Sequence, residues 1–148
     1  MPISKPLMLV IGLVIAASAL TAMTLATLNL NKNVSSLGTI TTSPNLGVYS
    51  DIGCTVNMTT INWGSVAAGS SVNQTIYVKN TGTGTLTLGL STSNWNPSTA
   101  ISYLSISWNQ QGTQLAAGQQ ATAVVTLTVS SNVTGITTFS NTISITGS

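Results

Sequence analysis

The sequence predicts an all-β protein, a single antiparallel β-sandwich of about seven strands that follows an apolar N-terminal helix. Apolar and polar residues alternate through long stretches such as residues 71–80 and 121–129, and glycine-containing turns separate these stretches. A period of two places apolar side chains on one face of a strand, as an antiparallel sheet with one solvated face requires. An uncharged apolar stretch near the N-terminus predicts the helix.

Charged side chains are scarce in this chain. The 148 residues include three lysines and one carboxylate, that of Asp51, so only 3% of the residues are charged. Typical globular domains have about 25%, and here serine, threonine, asparagine and glutamine provide the polar surface. Three scattered lysines form no basic stripe for phosphates, so no nucleic-acid partner is expected.

The N-terminal residues 1–19 have the pattern of a signal peptide or of the start of a membrane or pilin-like helix. Lys5 precedes the apolar run, and Ala17-Ser18-Ala19 is a small-residue cleavage site. Residues 6–30 lack charge and are long enough to span a bilayer as a retained anchor, which needs about 20 residues. A pilin-type leader, cut ahead of the apolar helix, is a third interpretation. Each of the three places the rest of the chain outside the cell or on its surface.

Residues 20–45 are predicted to be an extended linker or a donor strand. From Thr27 the residues alternate polar and apolar, which is the period of a strand. No turn signal ties this segment to the strands that follow. It is therefore either a polar stalk or a strand that pairs with a neighbouring subunit. In the second case the subunit contacts are Leu25, Leu28 and Leu30.

The predicted sandwich domain covers residues 46–148. Residues 46–49 form a short strand, and residues 50–54 form a loop that ends at Cys54. That cysteine is the only one in the chain, so no intrachain disulfide is available. We expect a buried free thiol there, with an intermolecular bridge as the alternative.

Residues 60–90 organise the domain, and we predict that they form consecutive antiparallel strands. Ile61 and Trp63 point to the core, and Gly64 ends the first strand. In the next strand Val72, Ile76 and Val78 face inward. The turn at residues 81–84 supplies the positive-φ positions of a tight hairpin.

The C-terminal part continues the inner rows of the sandwich. The residues predicted to face the core are Leu86, Leu88, Leu90, Leu104, Ile106, Trp108, Ala121, Ala123, Val125, Leu127, Val129, Phe139, Ile143 and Ile145. Gly118 precedes its long strand as Gly69 precedes the earlier one. About seven strands in about 100 residues fit an immunoglobulin-like sandwich.

The organising region resembles the immunoglobulin-like domains of the major sperm protein and Hydin type, as found in archaeal surface proteins. The matching segments are Ile61-Asn62-Trp63-Gly64-Ser65-Val66, Gly69-Ser70, Thr75-Ile76-Tyr77-Val78-Lys79-Asn80-Thr81-Gly82 and Thr85-Leu86-Thr87-Leu88. Trp63-Gly64 stands where the family has Phe-Gly. The resemblance covers about residues 59–146, implies the fold, and implies no shared catalytic residues.

The residues of a catalytic or metal site are missing from the sequence. General acid-base catalysis uses a carboxylate pair or an imidazole, and this chain has one carboxylate and no histidine. Zinc sites use cysteine and histidine clusters. The sequence therefore predicts no enzyme, no cofactor and no metal.

Two kinds of candidate site remain. Trp95, between two asparagines, is a candidate for stacking on a sugar ring, although a large aromatic gains more often by folding back over the sandwich. Asn-x-Ser/Thr sequons stand at Asn33, Asn57, Asn73 and Asn132, which makes these asparagines candidates for glycosylation in an exported protein.

These patterns lead to the expectation of a structural subunit of a cell-surface filament or coat. An exported sandwich without catalytic residues is similar in general plan to archaeal thread and bundling-pilus subunits, in which a strand of one subunit completes the next. Homo-oligomers and filaments are the expected partners, and a membrane contact through residues 6–30 is the alternative. A secreted or anchored binding module that recognises glycans, and a pilin-like subunit with a retained helix, are the other two interpretations.

Overall fold

The computed structural model describes residues 33–148 of the chain. These residues contain nine β-strands and one short 3₁₀ turn. The strands are β1 (Asn33–Thr42), β2 (Leu46–Tyr49), β3 (Thr60–Ala67), β4 (Ser71–Asn80), β5 (Leu86–Asn96), β6 (Leu104–Trp108), β7 (Gln114–Leu115), β8 (Gln120–Val129) and β9 (Thr138–Gly147), and the 3₁₀ turn is Ser98–Ser102. The prediction of a β-rich chain is confirmed, and the strand number exceeds the expected seven. The predicted N-terminal helix lies outside the described residues.

The strands form two sheets around one core. The five-stranded sheet has the order β3-β1-β9-β5-β7, and the four-stranded sheet has the order β2-β4-β8-β6. All pairs within the sheets are antiparallel except β1 and β9, which are parallel. The prediction of a purely antiparallel sandwich is therefore wrong for this pair.

The predicted inner rows are found in the core. Ile76, Val125, Leu127, Ile143 and Ile145 are fully buried. On β8 every second residue from Ala123 to Val129 is buried, as a period of two requires. Trp63 is buried as expected, while Leu86, Leu90, Ile106 and Trp108 are half-buried against the same core.

Residues 60–90 do not form the predicted run of paired strands. β3 and β5 belong to the five-stranded sheet and β4 to the four-stranded sheet, so the chain crosses from one sheet to the other at each step. Neither Gly82 nor Gly84 has a positive φ, and the turn at residues 81–84 joins two sheets. A buried side chain holds this crossover. The Asn80 amide nitrogen donates to the carbonyls of Gly84 and Leu115 at 2.7 and 2.9 Å, and its oxygen accepts from Gly82 N–H at 2.9 Å.

Two glycine turns flank the β4–β8 pair in matching positions. Gly69 precedes β4 with φ of 76°, and Gly118 precedes β8 with φ of 74°. Gly69 N–H donates to the carbonyl of Val129 at the end of β8, and Gly118 N–H donates to that of Asn80 at the end of β4. Both ends of the pair are therefore closed by a residue that adopts the left-handed conformation without strain.

Candidate subunit interface

The N-terminal strand of the described region, β1, has an interior place in its sheet. It pairs antiparallel with β3 from Asn33 opposite Ala67 to Thr39 opposite Thr60. On its other side it pairs in parallel with β9, from Ser35 opposite Thr138 to Thr42 opposite Ile145. Residues 20–45 were expected to be a linker or donor strand, and their part from Asn33 to Thr42 forms a strand with two neighbours. The compact unit accordingly includes residues ahead of 46.

A β-bulge in β3 aims Trp63 into the core beside β1. The register shifts between Ser36 and Leu37, so that Ser36 faces Gly64 and Leu37 faces Asn62. Gly64 has φ of 66°, and its N–H donates to the Asn62 side-chain oxygen at 2.9 Å. A bulge adds one residue to one strand. Trp63 is that residue, and Gly64 lies inside β3, which continues to Ala67.

The inner face of β1 mixes apolar and polar residues. Val34 and Ile40 are buried at its two ends, and Ser36 and Gly38 lie between them. Asn141 on β9 faces Gly38 across the parallel pair and is 4% exposed. The centre of this face therefore lacks the large apolar side chains that β8 carries.

A short link, residues 43–45, joins β1 to β2. Ser43 N–H donates to the Ile145 carbonyl at 3.2 Å, and Gly147 N–H donates to the Ser43 hydroxyl at 2.9 Å. Asn45 has φ of 66°, and its carbonyl accepts from Thr81 N–H at 2.8 Å. These contacts hold the end of β1 against β9 and against the turn after β4.

The outer face of the β1–β9 pair is uncharged and rich in hydroxyls. The Thr41 and Ser144 hydroxyls lie 2.9 Å apart on adjacent strands, and Leu37 is 48% exposed nearby. Within residues 33–148 the charged side chains are those of Asp51, in the loop after β2, and Lys79, on β4. No charged side chain in the described part of the chain therefore lies on the five-stranded sheet.

Trp95 packs on its own domain. Its ring stacks on Phe139, with centroids 5.5 Å apart and planes at 26°, and its indole N–H donates to the Thr92 hydroxyl at 3.3 Å. The side chain is half-buried against the core. One ring face and the only polar atom are thus used internally, which reduces what Trp95 can offer to a sugar.

The predicted glycosylation sites have different settings. Asn57 is exposed in the segment between β2 and β3, and Asn132 is exposed in the segment between β8 and β9. Asn73 lies in mid-strand on β4, where its side-chain oxygen accepts from the Thr126 hydroxyl at 2.8 Å. Asn33 is the first residue of β1.

The predicted subunit contacts Leu25, Leu28 and Leu30 lie outside the described residues.

The loop after β2 is ordered by Asp51. Its carboxylate accepts from Val56 N–H at 2.7 Å, from Thr55 N–H at 3.0 Å and from the Thr55 hydroxyl at 2.8 Å. The hydrogen bond from Val56, with weaker ones from Thr55, lowers the pKa of Asp51 below its ordinary value of 3.8.

Cys54 lies in the same loop and has a φ of 51°. Its thiol is half-buried and donates to the Gln120 side-chain oxygen at 3.1 Å, so it lies nearer the surface than expected.

Two open grooves are present on the described surface. A groove of about 320 Å³ lies between the end of β1, β2 and residues 57–59, and one of about 230 Å³ lies beside β6 and the 3₁₀ turn.

Within residues 33–148, His, Cys, Asp and Glu side chains form no group of three that suits a metal ion. In the same residues no helix has the length and apolar character needed to cross a membrane.

Comparison of the sequence with protein-family models and with curated proteins gives no match. The likeness to immunoglobulin-like surface domains therefore rests on the residues quoted above.

Proposed function

We propose that this protein is an exported structural subunit of a cell-surface filament, built on an immunoglobulin-like sandwich and assembled by exchange of its N-terminal strand between copies. The observation that carries the proposal is the place of β1. An N-terminal strand occupies the interior of a sheet, with β3 on one side and β9 on the other. Residues 43–45 form the short covalent link from β1 to β2.

Removing β1 from its sheet leaves a groove with the dimensions of one strand. The groove would expose the unpaired edges of β3 and β9 and the core around Val34 and Ile40, both of which are buried. Unpaired strand edges beside an apolar groove are templates for strand addition. A second copy supplies a strand with matching sequence. Reciprocal exchange between two copies closes a dimer, whereas exchange passed from each copy to the next gives the open chain of subunits that a filament requires.

The composition fits a surface polymer. A five-stranded sheet without charged side chains in its described residues brings no like-charge repulsion to the packing of copies. The sequence has one carboxylate, one cysteine and no histidine, and a structural role requires no catalytic or metal centre. The apolar residues 6–30 then direct export, and cleavage near Ala19 frees the segment ahead of β1.

Cysteine pairing between two subunit types tests the exchange. Thr39 on β1 faces Thr60 on β3, and both side chains are exposed. Opposed residues on antiparallel strands have the Cα separation of roughly 4.5–5.5 Å that a disulfide accepts. One subunit carries Thr39→Cys and the other Thr60→Cys, both with Cys54→Ser to remove the native thiol. We expect disulfide-linked dimers on non-reducing gels when the two subunits assemble together.

The control replaces Thr60→Cys with Thr122→Cys, an exposed position on the outer face of β8, and should give no cross-link. A double variant, Thr39→Cys with Thr60→Cys in one chain, locks β1 in its own domain when oxidised. We expect the locked subunit to stay monomeric until it is reduced. Filaments built from the oxidised, internally locked subunit would contradict strand exchange.

A shortened chain separates β1 from the segment ahead of it. Deleting residues 20–32 leaves every residue of β1 in place. If β1 is the exchanged strand, electron microscopy should still show filaments. If the filaments disappear while the domain keeps its melting temperature, the donor lies in the segment with Leu25, Leu28 and Leu30.

N-terminal sequencing of protein recovered from the cell surface distinguishes cleavage near Ala19 from a retained helix.

A further inference from the structure

Four buried polar atoms beneath β1 have no hydrogen-bond partner among the described residues. They are the Ser36 hydroxyl oxygen, the Trp63 indole nitrogen, and both the oxygen and the nitrogen of the Asn141 amide. The three residues belong to β1, β3 and β9, which are neighbours in one sheet. Buried polar groups are almost always paired, and leaving one unpaired costs about 1–3 kcal/mol. Unpaired polar atoms on three neighbouring strands therefore point to a further ligand.

The backbone of Gly38 borders the space that these atoms share. A Cβ placed on Gly38 would lie 3.4 Å from the Trp63 indole nitrogen and 3.4 Å from the Asn141 side-chain oxygen. It would also lie 2.9 Å from Cδ1 of Ile143, which is too close for a real contact. Ser36 is the adjacent inward-facing residue on the same strand, about 7 Å along it. The indole nitrogen and the amide oxygen thus both border Gly38 on the side where a larger residue would carry its side chain.

The chemistry of the cluster matches a single water molecule. An indole N–H only donates, an amide oxygen only accepts, the amide nitrogen donates, and a hydroxyl does both. Water donates two hydrogen bonds and accepts two, so one molecule can accept from the indole N–H and donate to the amide oxygen. Internal waters typically make about three such bonds to groups that are otherwise unpaired. We infer that Trp63 and Asn141 bind an internal water molecule beneath β1, beside the backbone of Gly38.

The same site specifies the register of β1. A shift of β1 by two residues keeps Val34, Ser36, Gly38 and Ile40 on the inward face, so apolar patterning alone opposes it weakly. Such a shift replaces Gly38 by Ile40 or by Ser36 opposite Asn141. A side chain there occupies the water position and leaves the indole and the amide without a partner. The inference rests on the fold of residues 33–148 and holds whether β1 is paired within its own chain or between copies.

Nuclear magnetic resonance of the full-length, isotopically labelled chain tests the water directly. The three tryptophans give three indole N–H signals, and Trp63→Phe identifies that of Trp63. We expect a nuclear Overhauser cross-peak between the Trp63 indole proton and water, with the sign of a long-lived complex. Trp108, whose indole donates to the exposed Gln111 side chain at 3.0 Å, is the internal control and should show no long-lived water.

Two variants exclude other sources of the signal. Ser36→Ala removes the hydroxyl proton that could relay magnetisation from solvent, and the cross-peak should persist in it. Gly38→Ala places a methyl group 3.4 Å from both the indole nitrogen and the amide oxygen, which should displace the water, and the cross-peak should disappear while the other indole signals stay in place. A Trp63 indole proton without a water cross-peak, or a cross-peak lost in Ser36→Ala, would overturn the inference. If Gly38→Ala does not fold, the wild-type and Ser36→Ala spectra still decide the matter.

Discussion

The β4–β8 pair and the β1–β9 pair belong to one sandwich, yet their inner faces bury different chemistry. β4 and β8 present Ile76, Val78, Val125 and Leu127, all fully buried, and the buried Asn80 at the end of β4 has its oxygen and nitrogen bonded. β1 and β9 instead present Ser36, Gly38 and Asn141 at their centre, where the polar atoms lack protein partners. The first pair buries an unbroken apolar row, whereas the second pair buries unpaired polar atoms beside Ile143 and Ile145.

The largest effect is expected from the apolar row of β8. Leu127→Ala removes a fully buried side chain and leaves a cavity, so it should lower the free energy of unfolding by about 2–5 kcal/mol. Urea denaturation of the variant and the wild type measures the difference. Thr122→Ala, at an exposed position on the same strand, is the matched control and should change stability by less than about 0.5 kcal/mol. Equal effects of the two substitutions would show that the row is not the main core.

A smaller loss of stability is expected from substitution of Asn80, the buried asparagine whose side-chain oxygen and nitrogen are both hydrogen-bonded. Asn80→Ala removes three hydrogen bonds and leaves the Leu115 carbonyl without its donor, which should cost about 1–3 kcal/mol. The exposed Asn73→Ala is the control, with an expected change below about 0.5 kcal/mol. Thermal unfolding by circular dichroism compares the two. A neutral Asn80→Ala would mean that this side chain does not hold the crossover from β4 to β5.

A substitution on the inner face of the β1–β9 pair should reduce stability less than Asn80→Ala does. Ser36→Ala removes one hydroxyl that bonds no protein atom, so its removal should change the free energy of unfolding by less than about 1 kcal/mol. The contrast with Asn80→Ala, measured in the same denaturation series, sharpens the difference between the two pairs. A loss at Ser36 as large as that at Asn80 would remove the contrast.

The smallest effect concerns pH. The chain contains one Asp or Glu side chain, Asp51, and its pKa is lowered mainly by the hydrogen bond from Val56 N–H. A depressed folded-state pKa contributes stability above the unfolded value of 3.8, and this contribution is lost as the pH falls through the folded pKa. The melting temperature should therefore be flat from neutral pH to about pH 4 and fall slightly below that.

Asp51→Asn is the matched variant for the pH series. It removes the titrating group, so the slight decline in acid should vanish while the variant melts somewhat lower than the wild type at neutral pH. Melting curves at several pH values check both statements. A steep acid transition in the wild type would contradict them, because no other acidic side chain exists in the sequence to cause it.

Much of the fold was accessible from residue patterns, and the strand partners were not. The alternation in residues 71–80 and 121–129 correctly predicts which side chains of β4 and β8 face the core. The same rule fails to show that β3, β4 and β5 lie in alternate sheets, because a turn such as residues 81–84 suits a hairpin and a crossover alike. The deciding contact, Asn80 to Leu115, spans 35 positions, and no local signal reveals it.

The candidate interface shows the same division. The alternation at Leu28 and Leu30 predicts an extended N-terminal segment, and these two residues lie outside the described part of the chain. The part of the segment that the structure describes, Asn33–Thr42, is a strand. Its inner face reads Val34, Ser36, Gly38 and Ile40, a pattern too weak to identify a buried strand. The polar centre beneath it arises from Trp63 and Asn141, which are distant in sequence and meet only across β1.

By itself the sequence determined the β-rich character of the chain, the apolar rows of its long strands and the scarcity of charge, because these follow from local period and composition. Only the tertiary structure decided that β1 lies between β3 and β9, that its pairing with β9 is parallel, and that three buried polar side chains lie on these neighbouring strands. A strand's own residues specify which of its faces is buried. Its neighbours depend on the packing of the whole domain, since backbone pairing is nearly the same for every strand and the choice among partners is made by the shared core.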